Sequence, residues 1–133
     1  MHHKIDLLTS QPTQFIDITA RIRSILSANP VKSGVCYIFV PHTTAAVTIN
    51  ENADPDVVSD ITAFLKKNID NAYDYRHLEG NSPAHIKASM LGSSAVVLIE
   101  NGDLVLGTWQ GVYFCEFDGP RSRNFLVKIF AGS

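Results

Sequence analysis

The sequence predicts a single α+β domain in which antiparallel sheets form a sandwich or barrel-like structure with two to three helices. The chain has 133 residues, 45% of them hydrophobic, which is enough for one core. Short runs of β-branched and aromatic residues outnumber the helical segments, and short connections between them favour antiparallel pairing. No internal repeat or low-complexity linker divides residues 1–133, so we expect one domain.

Three segments carry helix signals. The first opens at Asp17 or Thr19 and continues with apolar residues near a 3.6-residue period. The second opens at Asp54, a natural N-cap that is followed by a proline suited to the first helical turn. The third opens at Ser82, which is also followed by a proline, and Gly92 serves as its C-cap.

Seven segments are predicted to be strands because β-favouring residues dominate them. The run at 35–40 is continuous, which is typical of a strand buried on both faces. Asn101 and Gly102 form the dipeptide that best fits a type I′ turn, so a hairpin is predicted there. The predicted strands span residues 4–8, 35–40, 43–50, 95–99, 104–106, 110–117 and 125–130.

The charge and composition argue against several classes of partner. The net charge is −2 and the isoelectric point is about 6.2, so the overall field attracts neither nucleic acid nor an anionic membrane. We find no signal peptide and no apolar run of about 20 residues, so a cytoplasmic protein is expected. The two cysteines are expected to be free buried thiols. Charged residues make up only 18%, below the roughly 25% of an average domain, which favours burial against another subunit.

The first polar motif lies at His42, where two predicted strands meet. Residues of equal parity share a face of a strand, so His42 and Thr44 lie on the same side as Thr48 and Asn50. That side carries hydrogen-bonding groups of modest size and no long charged side chain. It is either the wall of a pocket or subunit interface, or an exposed threonine-rich face with His42 at its edge.

The second motif runs from His77 to His85. A loop that contains a glycine leads into the helix that opens at Ser82, and the N-terminus of a helix presents unpaired N–H groups to anions. Together with His42, the two histidines supply three imidazoles, a number that leaves one open position on a catalytic zinc ion. The alternative is a capping loop with two incidental surface histidines.

The third motif extends from Thr108 to Arg121 and contains Trp109, the only tryptophan, between two glycines. Glu116 falls among aromatic residues of a predicted strand, where a carboxylate is costly to bury unless it is paired. Arg121 follows a Gly-Pro turn and is suited to bind a carboxylate or a phosphate. Arg121 therefore either binds a ligand or forms a structural ion pair with Glu116. Because the three motifs concentrate polar groups beside glycine-containing turns, we expect them to meet in one site.

These three motifs closely resemble the YjbQ-like family, whose members are often described as secondary thiamine-phosphate synthase enzymes. The resemblance extends from about residue 15 to residue 130, and the motifs occur in family order. They are HTTAAVTINE at 42–51, HLEGNSPAHIKA at 77–88 and GTWQGVYF at 107–114.

The resemblance implies a homotrimer with sites at or near its subunit interfaces and a bound divalent metal, with zinc as the expected ion. It also implies a weak coupling of a pyrimidine diphosphate to a thiazole phosphate, so the expected ligand is a small phosphorylated molecule. The implied metal ligands are His42, His77 and His85. The catalytic candidates become Glu116, Arg121 and Lys87, and the ligand-binding candidates are Thr44, Asn50, Asn81, Ser82, Thr108, Trp109 and Gln110.

Three functions compete at this point. An enzyme of the thiamine-phosphate-synthase type would hold phosphates with Arg121 and Lys87, although the chain shows no Asp/Glu cluster of the kind that holds magnesium diphosphate. A zinc-dependent hydrolase or lyase would use a metal-bound water with Glu116 as the proton acceptor. A non-catalytic module would sequester a metabolite at the interface of a trimer.

Overall fold

The computed structural model describes residues 1–69 and 72–132 and confirms an α+β fold with antiparallel sheets. Within those ranges, none of the helices combines the length and the apolar character needed to traverse a bilayer. The helices are α1 (Thr19–Ala28), α2 (Pro55–Asn68) and α3 (Ser82–Leu91). The strands are β1 (His3–Leu8), β2 (Gln14–Asp17), β3 (Gly34–Phe39), β4 (Ala45–Glu51), β5 (Ser94–Glu100), β6 (Asp103–Leu104), β7 (Gln110–Glu116) and β8 (Ser122–Ala131).

Two antiparallel sheets stack at the centre of the protein. One has five strands in the order β1-β8-β3-β5-β6, and the other has three in the order β2-β7-β4. Because successive side chains of a strand face opposite sides, Ala45 and Val47 of β4 face the core between the two sheets. Ala46 faces the other way, into a second core with α2 and α3.

The two cores give the fold its layers. The larger core lies between the sheets and is closed by Ile22 and Leu26 of α1. In the smaller core, Leu65 of α2 and Ala84 of α3 belong to the same cluster as Cys115 of β7. The three-stranded sheet is therefore covered on both faces, by the five-stranded sheet and by helices.

The first two helix starts agree with the sequence signals. Asp54 caps α2, and its side chain accepts a hydrogen bond from the amide of Asp56 at 2.9 Å. The first helix begins at Thr19, and the carboxylate of Asp17 accepts bonds from both the amide and the hydroxyl of that residue. Both positions suggested for the start of α1 thus contribute to it.

The third helix starts one residue earlier than predicted. Asn81 occupies the N-cap position of α3, and Ser82 is its first helical residue, so the prediction that Ser82 is the N-cap is wrong. The amides of the first helical turn have no partner within the helix, so a proline is tolerated at any position of that turn. The position of Pro83 therefore does not identify the first residue of α3. Gly92 ends α3 with a positive φ of 94°, as predicted for its C-cap.

The predicted strands are present, with four differences. β4 begins at Ala45, so His42 and Thr44 lie in the loop before it and do not share a strand face with Thr48 and Asn50, and β6 covers only Asp103–Leu104. Asn101 and Gly102 have positive φ angles of 51° and 77° and join β5 to β6, which confirms the hairpin. The short strand β2 was not predicted, because it has only four residues and is specified by pairing with β7. Burial of β3 on both faces is wrong for the isolated chain, since Tyr37 and Phe39 on its outer face are about 40% exposed.

Both cysteines are free and buried, as predicted. Burial raises the pKa of the Cys36 thiol to about 11, and it raises the pKa of the Cys115 thiol still further. A thiol must ionise to act as a nucleophile, so neither cysteine supplies a reactive thiolate near neutral pH.

Candidate functional site

A polar cavity opens where β4 begins and β7 ends. Its volume is about 430 Å³, and its walls come from the loop before β4, the start of α3 with the loop before it, and the turn after β7. The structure brings the three imidazoles implied as metal ligands together here, and we call this space the histidine cavity. Its lining residues are Pro41, His42, Thr43, Thr44, His77, Glu79, Asn81, His85, Asp118, Arg121 and Arg123.

His42 is fixed by the backbone of β8. Its Nε2 atom lies 3.1 Å from the amide nitrogen and 3.0 Å from the carbonyl oxygen of Asn124. The β3–β8 pairing ends at Phe39 and Leu126. Beyond that point Pro41 has no N–H to donate to β8, and the imidazole of His42 bonds to the backbone of β8 instead. Burial and the nearby charge of Arg123 lower the pKa of His42, which favours the neutral imidazole at neutral pH.

His77 and His85 are in edge-to-face contact in the wall of the cavity. Their ring centroids are 5.2 Å apart and the rings are nearly perpendicular, at 88°. His85 lies in the first turn of α3, and His77 lies in the loop that leads to it, with Nε2 3.9 Å from a carboxylate oxygen of Glu79. The loop therefore folds back on the helix start, as its glycine allows, and pairs two groups that are eight residues apart in sequence.

A buried ion pair forms the floor beneath the cavity. Glu116 is fully buried and receives two hydrogen bonds from the guanidinium of Arg123, at 2.8 and 2.5 Å. Its carboxylate also accepts the hydroxyl of Thr9 at 2.7 Å and the amide of Asp118 at 3.0 Å. Burial works to raise the pKa of Glu116, but these bonds outweigh it and hold the pKa below its ordinary value. Glu116 is thus an ionised structural anchor and does not line the cavity.

The ion pair links the two sheets to the loop at His42. Arg123 belongs to β8 of the five-stranded sheet and Glu116 to β7 of the other, so their contact joins the layers. Arg123 also donates a hydrogen bond of 2.7 Å to the hydroxyl of Thr44. Thr44 lines the cavity, but its side chain is buried and its oxygen is already bonded, so it shapes the wall.

Arg121 has a different partner from the one considered in the sequence. A Glu116–Arg121 ion pair is wrong, because the guanidinium of Arg121 bonds to Asp118, at 2.7 Å to its carbonyl and 3.0 Å to its carboxylate. The Gly-Pro turn places Arg121 at the rim, where about half of its side chain is exposed. Arg123 is buried, and it takes the role that Arg121 was a candidate for.

Asn81 and Asp118 form a shared wall. The side-chain amide of Asn81 donates to the carboxylate of Asp118 at 2.9 Å, and both residues line the histidine cavity and a second cavity behind it. Lys87 lines the second cavity and not the first. It lies two residues after His85 on α3, and a separation of about 200° around the helix turns it to the other side. Ser82 lines neither cavity.

The remaining candidates lie at the opposite end of the three-stranded sheet. Glu51 pairs with Gln110 and Ala45 pairs with Glu116, so six residue steps, roughly 20 Å, separate the two ends. Trp109 is 62% exposed, and the side-chain oxygens of Asn50 and Gln110 accept bonds from the nearby backbone amides of Glu51 and Gly107. Within one subunit, Asn50, Thr108, Trp109 and Gln110 do not share the histidine cavity.

The three histidines do not form a ligand set for a metal in this conformation. In the described ranges, 1–69 and 72–132, no three His, Cys, Asp or Glu side chains are placed to hold a metal ion. Nε2 of His42 bonds to the backbone of Asn124, so Nδ1 is the nitrogen of this imidazole that remains for a ligand, whereas His77 and His85 contact each other directly.

Sequence reasoning missed Arg123 and Thr9. A signal for Arg123 was available, because it shares its strand parity with Phe125 and Val127, and an arginine on the apolar face of a strand requires an acid nearby. Glu116 has the same kind of position among Val112 and Phe114 on β7. Thr9 follows β1 and reaches Glu116 across 107 residues of sequence, so no local pattern indicates it.

Comparison with known proteins establishes the family. Residues 3–132 match the family described as UPF0047 protein YjbQ-like. This chain belongs to the UPF0047/YjbQ family. A UPF0047 protein of Methanocaldococcus jannaschii is 51% identical, over 97% of this chain and 94% of its own length. The UPF0047 protein YugU of Bacillus subtilis is 46% identical, over 94% of this chain and 96% of its own.

Solved structures of the UPF0047/YjbQ family have the same fold. A crystal structure of a family member from Clostridium acetobutylicum superimposes with a TM-score of 0.94 at 55% identity, covering 96% of this chain and 99% of that one. A protein from Sulfolobus solfataricus, described as YbjQ-like and of unknown function, gives a TM-score of 0.94 at 32% identity, with coverages of 99% and 97%. The fold is thus retained where two thirds of the residues differ.

Proposed function

We propose that the histidine cavity is the active site of an enzyme that acts on a small phosphorylated molecule by general acid–base chemistry. The observation that supports this most is the meeting of His42, His77 and His85, which come from three separate segments, in one cavity of about 430 Å³. A volume in this range is typical of sites for small molecules.

The roles follow from the surroundings of each group. Imidazole is the side chain suited to give and take protons near neutral pH, and the His77–His85 pair places two adjoining imidazoles in the wall of one cavity. Arg121 is the accessible cation at the rim, and its bonds to Asp118 leave other N–H groups free for an anionic substituent. The proton-acceptor role considered for Glu116 passes to the histidines, because the carboxylate of Glu116 is buried and bonded.

The reaction to test first is the coupling of a pyrimidine diphosphate to a thiazole phosphate. We expect slow formation of thiamine phosphate by the purified protein, and loss of most of that rate in His77→Ala and His85→Ala. Removal of a general acid or base typically costs about a hundredfold or more in rate. Lys67→Met, an exposed residue of α2 outside the histidine cavity, is the control and should retain the rate. Wild-type protein that forms no product would exclude this reaction, and equal rates in His85→Ala and wild type would exclude this site.

A second candidate is a divalent-metal centre, and the spacing of two imidazoles favours it. Two imidazoles on one tetrahedral zinc, with bonds of about 2 Å, place their ring centroids about 5 Å apart. His77 and His85 are 5.2 Å apart. We propose that this pair, with zinc as the favoured ion, supplies the protein ligands, while His42 stays on Asn124. Such an ion would supply Lewis acidity and an activated water when bound.

Metal content measured after dialysis separates the two candidates. His2 is exposed and His3 begins β1, and because two adjacent histidines are themselves able to bind metal, the background variant carries alanine at both positions. In that background, zinc should be retained by His42→Ala and lost by His77→Ala and His85→Ala. No zinc in any variant would exclude the centre, and loss of zinc in His42→Ala would show that all three histidines are ligands.

We also propose that the protein assembles as a homo-oligomer, with a trimer as the expected state, through the outer face of the five-stranded sheet. Tyr37 and Phe39 of β3 share this face with Val96 and Leu98 of β5, and all four are 39–57% exposed. A contiguous apolar face of this kind marks an interface. Light scattering should give the mass of three chains for wild type and of one chain for Leu98→Glu. A monomeric wild type would contradict this proposal.

A further inference from the structure

A second cavity lies between α2, α3 and the end of β7. Its volume is about 450 Å³, and we call it the lysine cavity because Lys66 of α2 and Lys87 of α3 both line it. Its apolar walls include Leu65 and Phe117. The remaining lining residues are Pro12, Thr13, Thr62, Gly80, Asn81, Pro83, Ala84 and Asp118.

Lys87 is the unusual group in this cavity. It is only 8% exposed, yet in residues 1–69 and 72–132 its ammonium group has no carboxylate or hydrogen-bond partner, only the ring of Phe117 at 5.9 Å. Its stem is buried while the ammonium group reaches the cavity, and native proteins commonly pair such a group or bind a counter-ion to it. Burial, and then the like charge of Lys66, lower the pKa of Lys87, as is expected where a counter-charge is lacking.

The neighbouring carboxylate does not supply that counter-charge. Asp118 lines the cavity, but its carboxylate is bonded to the side chains of Arg121 and Asn81. The other side-chain atom of Asn81, Oδ1, is buried and accepts no hydrogen bond from the described residues. Among the described residues, neither Lys87 nor Lys66 therefore has a carboxylate partner, and the cavity lacks a counter-charge for them.

We propose that the lysine cavity binds a small organic anion, whose acidic group lies between Lys87 and Lys66 and whose apolar body packs against Phe117 and Leu65. Two ammonium groups in one cavity attract a phosphate monoester or a carboxylate. Because the wall is partly apolar, an anion with an apolar body should bind more tightly than inorganic phosphate. This site is distinct from the histidine cavity, and its occupancy does not depend on the function proposed for that cavity.

The experiment is isothermal titration calorimetry of the purified protein with phenyl phosphate. Separate titrations with phenylacetate, inorganic phosphate and phenol are made for comparison. We expect phenyl phosphate and phenylacetate to bind to one site more tightly than phosphate, and phenol to bind weakly or not at all. The ratio of the first two affinities shows which acidic group the site prefers. Lys87→Met should weaken binding by about tenfold or more, since a hydrogen bond to a charged group is lost.

Matched variants locate the site. Lys66→Met should weaken binding by about threefold, because Lys66 is exposed and its charge is screened, and Lys67→Met, the next residue on α2, should bind as wild type does. Lys87→Met should fold at least as stably as the wild type, since it removes an unpaired buried charge. Unchanged binding in Lys87→Met, or binding lost in Arg121→Met instead, would overturn the proposal by assigning the anion to the histidine cavity or to the surface. If Lys87→Met does not fold, equal affinities in Lys66→Met and Lys67→Met overturn it.

Discussion

The two ends of the β4–β7 ladder carry similar residue types in opposite circumstances. At the end where β7 finishes, Glu116 is fully buried and its carboxylate has four hydrogen bonds, while His42 is held by a strand of the other sheet. At the end where β7 begins, Trp109 is mostly exposed, and the side-chain oxygen of Asn50 accepts a bond from the amide of the next residue, Glu51. The first end binds both sheets and faces a cavity, whereas the second end closes a turn.

This difference shows why a motif does not by itself define a site. Burial of polar groups is unfavourable unless each is paired, so a fold that buries several of them in one connected network gains a fixed geometry there. A site that has to position reacting groups needs such support. On that ground the histidine cavity is the stronger candidate, and the residues around Trp109 lie outside it within one subunit.

The largest expected effect comes from the buried ion pair. Arg123→Met leaves Glu116 buried without its partner and should lower the free energy of unfolding by about 3–5 kcal/mol. Arg121→Met removes a half-exposed pair and should cost about 1 kcal/mol or less. Chemical denaturation of both variants measures the difference, and similar losses for the two arginines would contradict the contrast between them.

A second contrast uses a glycine near each end of β7. A Cβ on Gly119 would lie 2.3 Å from the backbone oxygen of Gln11, whereas one on Gly111 would meet the exposed side chain of Asn52. Backbone yields less readily than a surface side chain, so Gly119→Ala should cost about 2–3 kcal/mol and Gly111→Ala about 1 kcal/mol. Thermal unfolding gives the ranking, and a larger loss for Gly111→Ala would reverse the account of which end is rigid.

The pH dependence of stability should also trace to the Glu116 end. Since the folded pKa of Glu116 lies below its ordinary value of 4.5, the ionised group stabilises the fold fully above pH 4.5. That stabilisation is lost as the pH falls below 4.5 through the folded pKa, by at most about 1.4 kcal/mol per pH unit. Glu116→Gln should therefore show a flatter acid limb in urea denaturation from pH 6 to pH 3. An unchanged slope would mean that Glu116 is not the group responsible.

The smallest effect is expected at the other end. Trp109→Ala should change the free energy of unfolding by about 0.5 kcal/mol or less, as is usual for an exposed side chain away from a network. The measurement is made at a concentration low enough to keep the protein monomeric, because an exposed tryptophan is also suited to a subunit contact. A loss above 1.5 kcal/mol or so under those conditions would show that this end is more tightly packed than its exposure indicates.

Much of this fold follows from local patterns in the sequence. Periodicity and capping residues located the three helices, and the Asn101–Gly102 turn located its hairpin, because each of these signals acts over a few residues. The separation of Trp109 from Glu116 was also within reach, since seven residues of extended chain span roughly 20 Å and put the two at opposite ends of one strand. The short separation of Trp109 and Glu116 in sequence therefore does not indicate that they share a site.

The rest depends on contacts between distant segments. Strand parity placed Glu116 in the core, but the choice of Arg123 over Arg121 is made by the stacking of β8 on β7. The lysine cavity exists because α2 packs beside α3, and nothing local to Lys66 or Lys87 indicates that they share it. In the assembly proposed above, other copies of the chain cover the outer face of β3, which no pattern local to that strand indicates.

The most direct test of the histidine cavity is nitrogen NMR of the five imidazoles in histidine-labelled protein during a titration with a thiazole phosphate. If the cavity is one site, the signals of His42, His77 and His85 will shift together with a single dissociation constant. His2 and His3, at the N-terminus, are the internal reference and will not move with them. Signals of the three that stay unchanged at saturation, or that shift with separate dissociation constants, would contradict a shared site.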